Sequence, residues 1–431
     1  MTYVSSVGRR SWFGLLVVLL CCQHAPAVPA TTQKQPAPAS WHGLLYIKDE
    51  RPRKDLWVQS LDGSRHQQLT DSGRVAAWPR PGLEGPFNGA VISPDGRRVA
   101  YAERHPVVAG KVQLPEHAPG LRGHWELLFV MNADGTGRRK LVDLREVPLP
   151  EGQTRSGSFV WSSDGTRLAY ALETFEQGCS HLTLHVVEVA SGQVTPVLTG
   201  KPLGQVQLLT WSSPRDELTF ASVCDEKAST PEGGRLLGTL HLPTGIMRTR
   251  PAWNPVVSTD GTRAFISGEP VPQQRPTLVR VDETFTVEHL LKAPSWGHLL
   301  WYHQRPAGLF TAKTPERPQL ECQGMTPLPQ SFYRLEAGTQ TLSLLRQEAT
   351  ALRVLDFSPD DTQALVYILI GRDESSWGVC GAAWSQRLYL VRRDELESEL
   401  PVHELLARGI ALAPASFWPG PTNTLFIGWL R

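Results

Sequence analysis

The stretch that decides the fold is Phe159-Val160-Trp161-Ser162-Ser163-Asp164-Gly165, which runs straight on into Thr166-Arg167-Leu168-Ala169-Tyr170-Ala171-Leu172. Two apolar, strand-favouring runs are separated only by small and polar residues, and Asp-Gly tolerates the positive φ that a tight hairpin needs. The same phrase returns along the chain. Ala90-Val91-Ile92-Ser93-Pro94-Asp95-Gly96 precedes Arg97 to Ala102, and Val256-Val257-Ser258-Thr259-Asp260-Gly261 precedes Thr262 to Ser267. Worn copies are Leu209 to Pro214 before Glu217 to Val223, Leu300 to His303 before Gly308 to Ala312, and Leu355 to Asp360 before Gln363 to Ile368. A last one is Ser416 to Gly420 before Thr424 to Trp429. Where Pro occupies the second turn position it presets φ for the bend.

Each hairpin is followed, after a variable gap, by an alternating strand such as Asp55 to Gln59, Leu127 to Val130 or Arg387 to Val391. These lead into a second turn, at Asp62-Gly63, Asp134-Gly135, Ser191-Gly192, Thr244-Gly245 or Ala337-Gly338, and then a closing strand such as His66 to Thr70. One unit is therefore four antiparallel strands, A to D. A lone sheet of this kind cannot bury both faces, so the units must stack. The expectation is an all-β chain forming a single β-propeller over residues 41–431. Seven A strands are visible, at Asp95, Asp164, Trp211, Asp260, Trp301, Asp360 and Trp418. Leu44 to Ile47, Trp57 and Asp62-Gly63 begin mid-unit, so the C-terminal strands are expected to complete the first blade and protect its edge. Six or eight blades stay open, because the unit near Trp301 is degraded and Leu44 to Ile47 resembles Leu425 to Trp429 closely enough to be a duplicate.

The order strand, Trp-Ser-x-Asp-Gly, strand, Asn-Ala-Asp-Gly (Asn132 to Gly135), strand resembles the TolB-type, WD-like propeller repeat. The resemblance extends over nearly all of the chain after residue 40. Families with this repeat are often periplasmic or cell-envelope proteins, and the resemblance implies a circular propeller used for protein contacts. TolB itself carries an N-terminal α/β domain, for which strand-like sequence from Leu44 leaves no room here. Interaction with the TolB partner lipoprotein therefore does not carry over.

Residues 1–30 read as a signal peptide: Arg9 and Arg10, an apolar run from Trp12 to Leu20, then small residues at Ala25, Ala27 and Ala30. The apolar run is about half of what a spanning helix needs. Two routes are open, cleavage after Ala27 or Ala30, or lipidation of Cys22 in Leu19-Leu20-Cys21-Cys22, which resembles a bacterial lipobox imperfectly. Residues 31–40 are polar and Pro-rich and read as a linker. Periplasm, outer membrane or extracellular space is the expected location, with a lipid at Cys22 as the membrane contact.

With a net charge of +1, no global field favours nucleic acid or an anionic surface. The 14 Trp, 37 Gly and 35 Pro in 431 residues fit many short strands and turns. No Gly-x-Ser-x-Gly elbow, Walker loop or dinucleotide fingerprint occurs. His403-Glu404 starts like a zincin helix, but Ala407 stands where the second His must be. The hairpin residues Asp95, Gly96, Asp164, Gly165, Asp260, Gly261 and Asp360 read as turn formers, and Trp161, Trp211, Trp301 and Trp418 as packing between blades. No catalytic residue, metal ligand or cofactor is expected.

Cys179, Cys224, Cys322 and Cys380 fall in the B–C connections without the Cys-x-x-Cys spacing of a metal site. Equivalent loops of adjacent blades lie side by side, so Cys179–Cys224 and Cys322–Cys380 are the expected disulfides. The expected function is a non-catalytic envelope or extracellular scaffold that recognises a protein or envelope component. Its ligand face comprises Glu103 to His124, Glu173 to His181, Cys224 to Gly234, Thr311 to Ser331 and Gly371 to Ser385. The alternative is a channel-site enzyme of lyase, lactonase or glycosidase type, which needs acidic or His side chains converging at one mouth.

Overall fold

The computed structural model describes residues 43–50, 52–76, 89–106, 124–144, 153–175, 180–224, 235–258, 263–267, 276–282, 285–294, 297–313, 330–348, 352–370, 385–412 and 423–430. These form seven four-stranded antiparallel sheets. Blade 1 is β4 (Ala90–Ile92), β5 (Arg98–Pro106), β6 (His124–Asn132) and β7 (Arg139–Asp143). Blade 2 is β8 (Gln153–Trp161), β9 (Arg167–Phe175), β10 (His181–Glu188) and β11 (Val194–Pro202). Blade 3 is β12 (Gln205–Ser212), β13 (Glu217–Val223), β14 (Arg235–His241) and β15 (Ile246–Pro251). Blade 4 is β16 (Trp253–Val257), β17 (Arg263–Ser267), β18 (Thr277–Val281) and β19 (Val287–Lys292). Blade 5 is β20 (Gly297–Trp301), β21 (Ala307–Lys313), β22 (Gln330–Glu336) and β23 (Thr341–Glu348). Blade 6 is β24 (Leu352–Phe357), β25 (Gln363–Ile370), β26 (Ser385–Arg392) and β27 (Ile410–Ala411), with helices α1 (Arg393–Leu396) and α2 (Val402–Arg408) inserted before its last strand.

Blade 7 closes the ring, and it corrects the reading of the C-terminus. Its order is β28 (Asn423–Leu430), β1 (Gly43–Glu50), β2 (Arg53–Ser60) and β3 (His66–Gln68). The Thr424 to Trp429 run is thus the inner A strand itself, not the partner of an A strand at Trp418. Leu44 to Ile47 already fills the second position, hydrogen-bonded to β28 on one side and β2 on the other. One C-terminal strand completes three N-terminal ones. Ser416 to Gly420 and the Asp260-Gly261 turn lie outside the described residues.

The core is a set of seams. Among the described residues seven apolar clusters occur, and each spans two neighbouring blades, including one between blades 6 and 7 and one between blades 7 and 1. A linear stack of seven sheets would have six such seams; the seventh exists because the stack is circular. Trp161, Trp211 and Trp301 are buried in three of them, as packing residues. Gly238 shows how tightly the strands are filled. It sits opposite Phe220, and a Cβ there would meet the ring at 2.1 Å.

The hairpins have one chemistry. In blade 2 the Ser162 hydroxyl donates to Asp164 Oδ1 at 2.7 Å, and the Thr166 amide donates to the same oxygen at 2.9 Å. The Ser162 Oγ also accepts from the Arg167 amide at 2.9 Å, while Gly165 takes φ 70°. Ser93 with Asp95 and Ser358 with Asp360 repeat this arrangement. The left-handed residue of a hairpin also receives the preceding blade. Arg98 Nη2 donates to Gly165 O at 2.9 Å, and Arg167 Nη2 to Asp216 Oδ1 at 2.5 Å. In blade 6 the position belongs to Asp361 at φ 57°, which costs a non-glycine residue about 1 kcal/mol or more. Its carboxylate offsets that by accepting the His303 and Gln304 amides of blade 5 at 2.6 and 2.8 Å.

Two outcomes follow. Truncating the chain after residue 422 removes β28, exposes the edge of β1 and strips Trp429 and Leu430 from two seams. We expect a large fall in melting temperature by calorimetry, and an unchanged value would rule out closure through β28. The second concerns His185, which is buried, stacks on Tyr170 at 5.1 Å between blades 1 and 2, and has its pKa pushed down to about 4 by burial. The unfolded chain takes up a proton at His185 below about pH 6.5, while the folded chain resists until about pH 4. Stability is therefore full above pH 6.5 and falls as the pH drops towards 4, by up to about 3 kcal/mol. In urea titrations across that window, His185→Phe should lose this part of the slope relative to the parent protein.

Candidate functional site: the loop face

The A–B hairpins and C–D turns share one face of the ring, and the B–C and D–A connections share the other. Most of the B–C segments expected to form a ligand face lie outside the described residues; the strand ends that carry them are described. Those ends hold the least expected side chains of the molecule. Asp49, Asp55, Glu103, Glu126 and Glu173 stand at the loop-side ends of blades 7, 1 and 2, and each is at most 5% exposed.

A buried carboxylate is tolerable only when it is paired or hydrogen-bonded. Asp55 Oδ1 accepts from the Thr70 hydroxyl at 3.0 Å and the Gly73 amide at 2.9 Å. Glu103 Oε1 accepts from the Ser72 hydroxyl and from Arg138 Nη2, both at 2.7 Å, while its Oε2 lies 3.5 Å from His105 Nε2. Arg74 Nη1 approaches His105 Nδ1 at 2.7 Å, and a guanidinium can only donate. His105 Nδ1 is therefore the acceptor, which leaves the proton of a neutral ring on Nε2, facing Glu103. Glu126 pairs with Arg104 at 3.4 Å, Asp49 with Lys54 at 3.2 Å, and Glu173 accepts from the Val206 amide of blade 3 at 2.9 Å.

These groups fasten the connections between blades. The segment from Asp71 to Ala76, which leaves blade 7 for blade 1, bonds to both. Lys54 N donates to Gly73 O and Val75 N to Lys54 O, while Ala76 N donates to Ala102 O and Arg104 N to Arg74 O, all within 3.0 Å. Asp55, Glu103 and Glu173 act as hydrogen-bonded struts, and Asp49 and Glu126 are held by ion pairs, which braces the loop bases of blades 7, 1 and 2.

The residues singled out from sequence fall elsewhere. Asp95, Asp164 and Asp360, with Gly96 and Gly165, lie in hairpins on the opposite face. The Ser162 and Ser358 hydroxyls hold the Asp164 and Asp360 carboxyls below the usual range, keeping these locks ionised. His403, Glu404 and Ala407 lie on α2, and among the described residues no group of three or more His, Cys, Asp or Glu is placed to hold a metal. Cys22, Cys179, Cys322 and Cys380 lie outside the described residues. Sequence reading named Glu103 and Glu173 only as bounds of loops and missed the burial of these five carboxylates; their one signal is a charge interrupting an apolar run, as at Glu103 after Ala100-Tyr101-Ala102.

Cys224 is buried and disulfide-bonded, with a partner outside the described residues. Gly204 is wedged beside it at φ 75°. A Cβ on Gly204 would come within 2.8 Å of the Cys224 Cα, and its amide donates to Ser180 O at 2.8 Å. Ser180, the neighbour of Cys179 in sequence, and Cys224 thus both meet Gly204.

No family model matches the sequence, and no curated protein matches it. Among solved structures, one of an oligogalacturonate lyase in complex with manganese is similar, with TM-score 0.52 and 16% identity over 81% of this chain and 85% of that one. TolB from Acinetobacter baumannii matches at TM-score 0.37 and 10% identity, over 70% of this chain and 62% of that one. A putative TolB from Agrobacterium tumefaciens matches at TM-score 0.37 and 14% identity, over 71% and 89%. Likeness at this identity is likeness of fold. The chain is a seven-bladed propeller.

The disulfide is open to direct test. We propose Cys179 as the partner of Cys224, and non-reducing peptide mapping is expected to recover that pair. A peptide joining Cys224 to Cys322 or Cys380 would overturn the pairing. Reduction should cost about 2–4 kcal/mol of stability.

Proposed function

We propose that this chain is an exported, non-catalytic binding scaffold that presents its long B–C loops to a protein or another component of the cell envelope. The observation that carries the reading is the set of buried carboxylates at the loop bases of blades 7, 1 and 2. They hold the ends of variable segments on a rigid ring, which is how recognition loops are usually mounted. The TolB-like repeat supports an envelope setting. Residues 1–30 support export, and Cys22 is the proposed site of a lipid anchor. Among the described residues no helix is long and apolar enough to cross a membrane.

A second reading, a channel-site enzyme of lyase, lactonase or glycosidase type, is kept because the structure matching at TM-score 0.52 is that of a lyase. The two are separable. Replacing residues 107–123 or 225–234 with short Gly-Ser turns should abolish retention of a defined envelope protein by the immobilised mature chain and leave the melting temperature unchanged. Retention unaffected by both replacements would sink the scaffold reading. Release of unsaturated uronide from oligogalacturonate by the purified chain would establish the enzyme instead.

A further inference from the structure

On the hairpin face, away from the loops, three guanidinium groups close on one carboxylate. Arg305 comes from the β20–β21 hairpin, Arg334 from β22 and Arg393 from the start of α1; the carboxylate is Glu397, just beyond α1. Arg305 Nη2 and Arg393 Nε stand 3.4 and 3.5 Å from Glu397 Oε1, and Arg334 Nη1 stands 3.6 Å from Oε2. These are ion-pair separations. The short bond to Glu397 is made by Tyr302, whose hydroxyl donates to Oε1 at 2.6 Å and whose ring lies under Arg305 at 4.2 Å.

A guanidinium carries five N–H donors in a planar fork. Among the described residues, the one hydrogen bond made by these three side chains is Arg305 to Glu397 at 3.4 Å. The Nε atoms of all three are out of solvent without a hydrogen-bond partner. The seam itself does not lack acceptors. Arg346, across the same helical insert, bonds to Glu348, Leu396 O and Leu400 O. Charge is unbalanced in the same sense. Three cations face the one enclosed carboxylate Glu397, while Glu336, 3.2 Å from Arg334 Nε, is half exposed and screened. The three side chains are 25 to 38% exposed, so the cluster opens to water.

Unspent donors, surplus positive charge and access from solvent coincide at one place. We propose that Arg305, Arg334 and Arg393 form a binding site for a doubly charged tetrahedral oxyanion, a phosphate or sulfate ion or a phosphate monoester. Forks arriving from three elements match the spread of oxygens on such a group, which guanidinium recognises better than an ammonium does. The anion takes the unused N–H groups, and the Tyr302–Glu397 bond stays in place.

Calorimetric titration with inorganic phosphate, and separately with phosphoserine as the ester, at ionic strength matched with chloride, tests the site. Saturable binding is expected, about tenfold or more weaker in Arg305→Gln and in Arg393→Gln. Glu397→Gln, which removes the competing charge, should bind more tightly, and it decides the matter if the arginine variants do not fold. Tighter binding of the ester points to a phosphorylated partner, and tighter binding of the free ion to the ion itself. No binding of either probe, binding that the arginine variants leave unchanged, or no gain in Glu397→Gln would overturn the site.

Discussion

A four-stranded sheet has two apolar faces, and on its own it can bury neither. In this chain every face is covered by the next blade, so no blade is stable as a unit and the seams carry the fold. That constraint explains why β28 must pair with β1, because an open stack would leave two faces and two inner edges in water. It also explains why the hairpin turns do more than reverse the chain. Gly165, Asp216 and Asp361 take the left-handed conformation and accept hydrogen bonds from the preceding blade, so turn and seam are fixed together.

The same constraint decided what could be read in advance. Asp95, Asp164 and Asp360 were legible because their role is local: a Ser two residues earlier and an amide two residues later suffice to define them. The seven-fold repeat followed from those turns. The C-terminal strand was misassigned because Trp418-Pro419-Gly420 imitates the motif, and local pattern cannot tell which neighbour β28 pairs with. That is settled by β1, which is hundreds of residues away in sequence.

The loop-base carboxylates were illegible for a different reason. Glu103 and Glu173 look like solvent-facing charges on strand ends, and only the chain crossing over from the neighbouring blade buries them. The arginine cluster is harder still, since Arg305, Arg334, Arg393 and Glu397 come from three elements in two blades. Clusters of this kind are properties of the ring, not of any repeat within it.

The pairing of β28 with β1 has a consequence for the making of the molecule. β28 is the last strand of the ring to leave the ribosome, or to cross a membrane that the chain threads N-terminus first. Until it arrives, blade 7 has no inner strand and the seams with blades 6 and 1 lack Trp429 and Leu430. The body therefore stays an open arc until nearly all of its strands have been made. Its cooperative locking is postponed to the moment when the first and last strands meet on the same side.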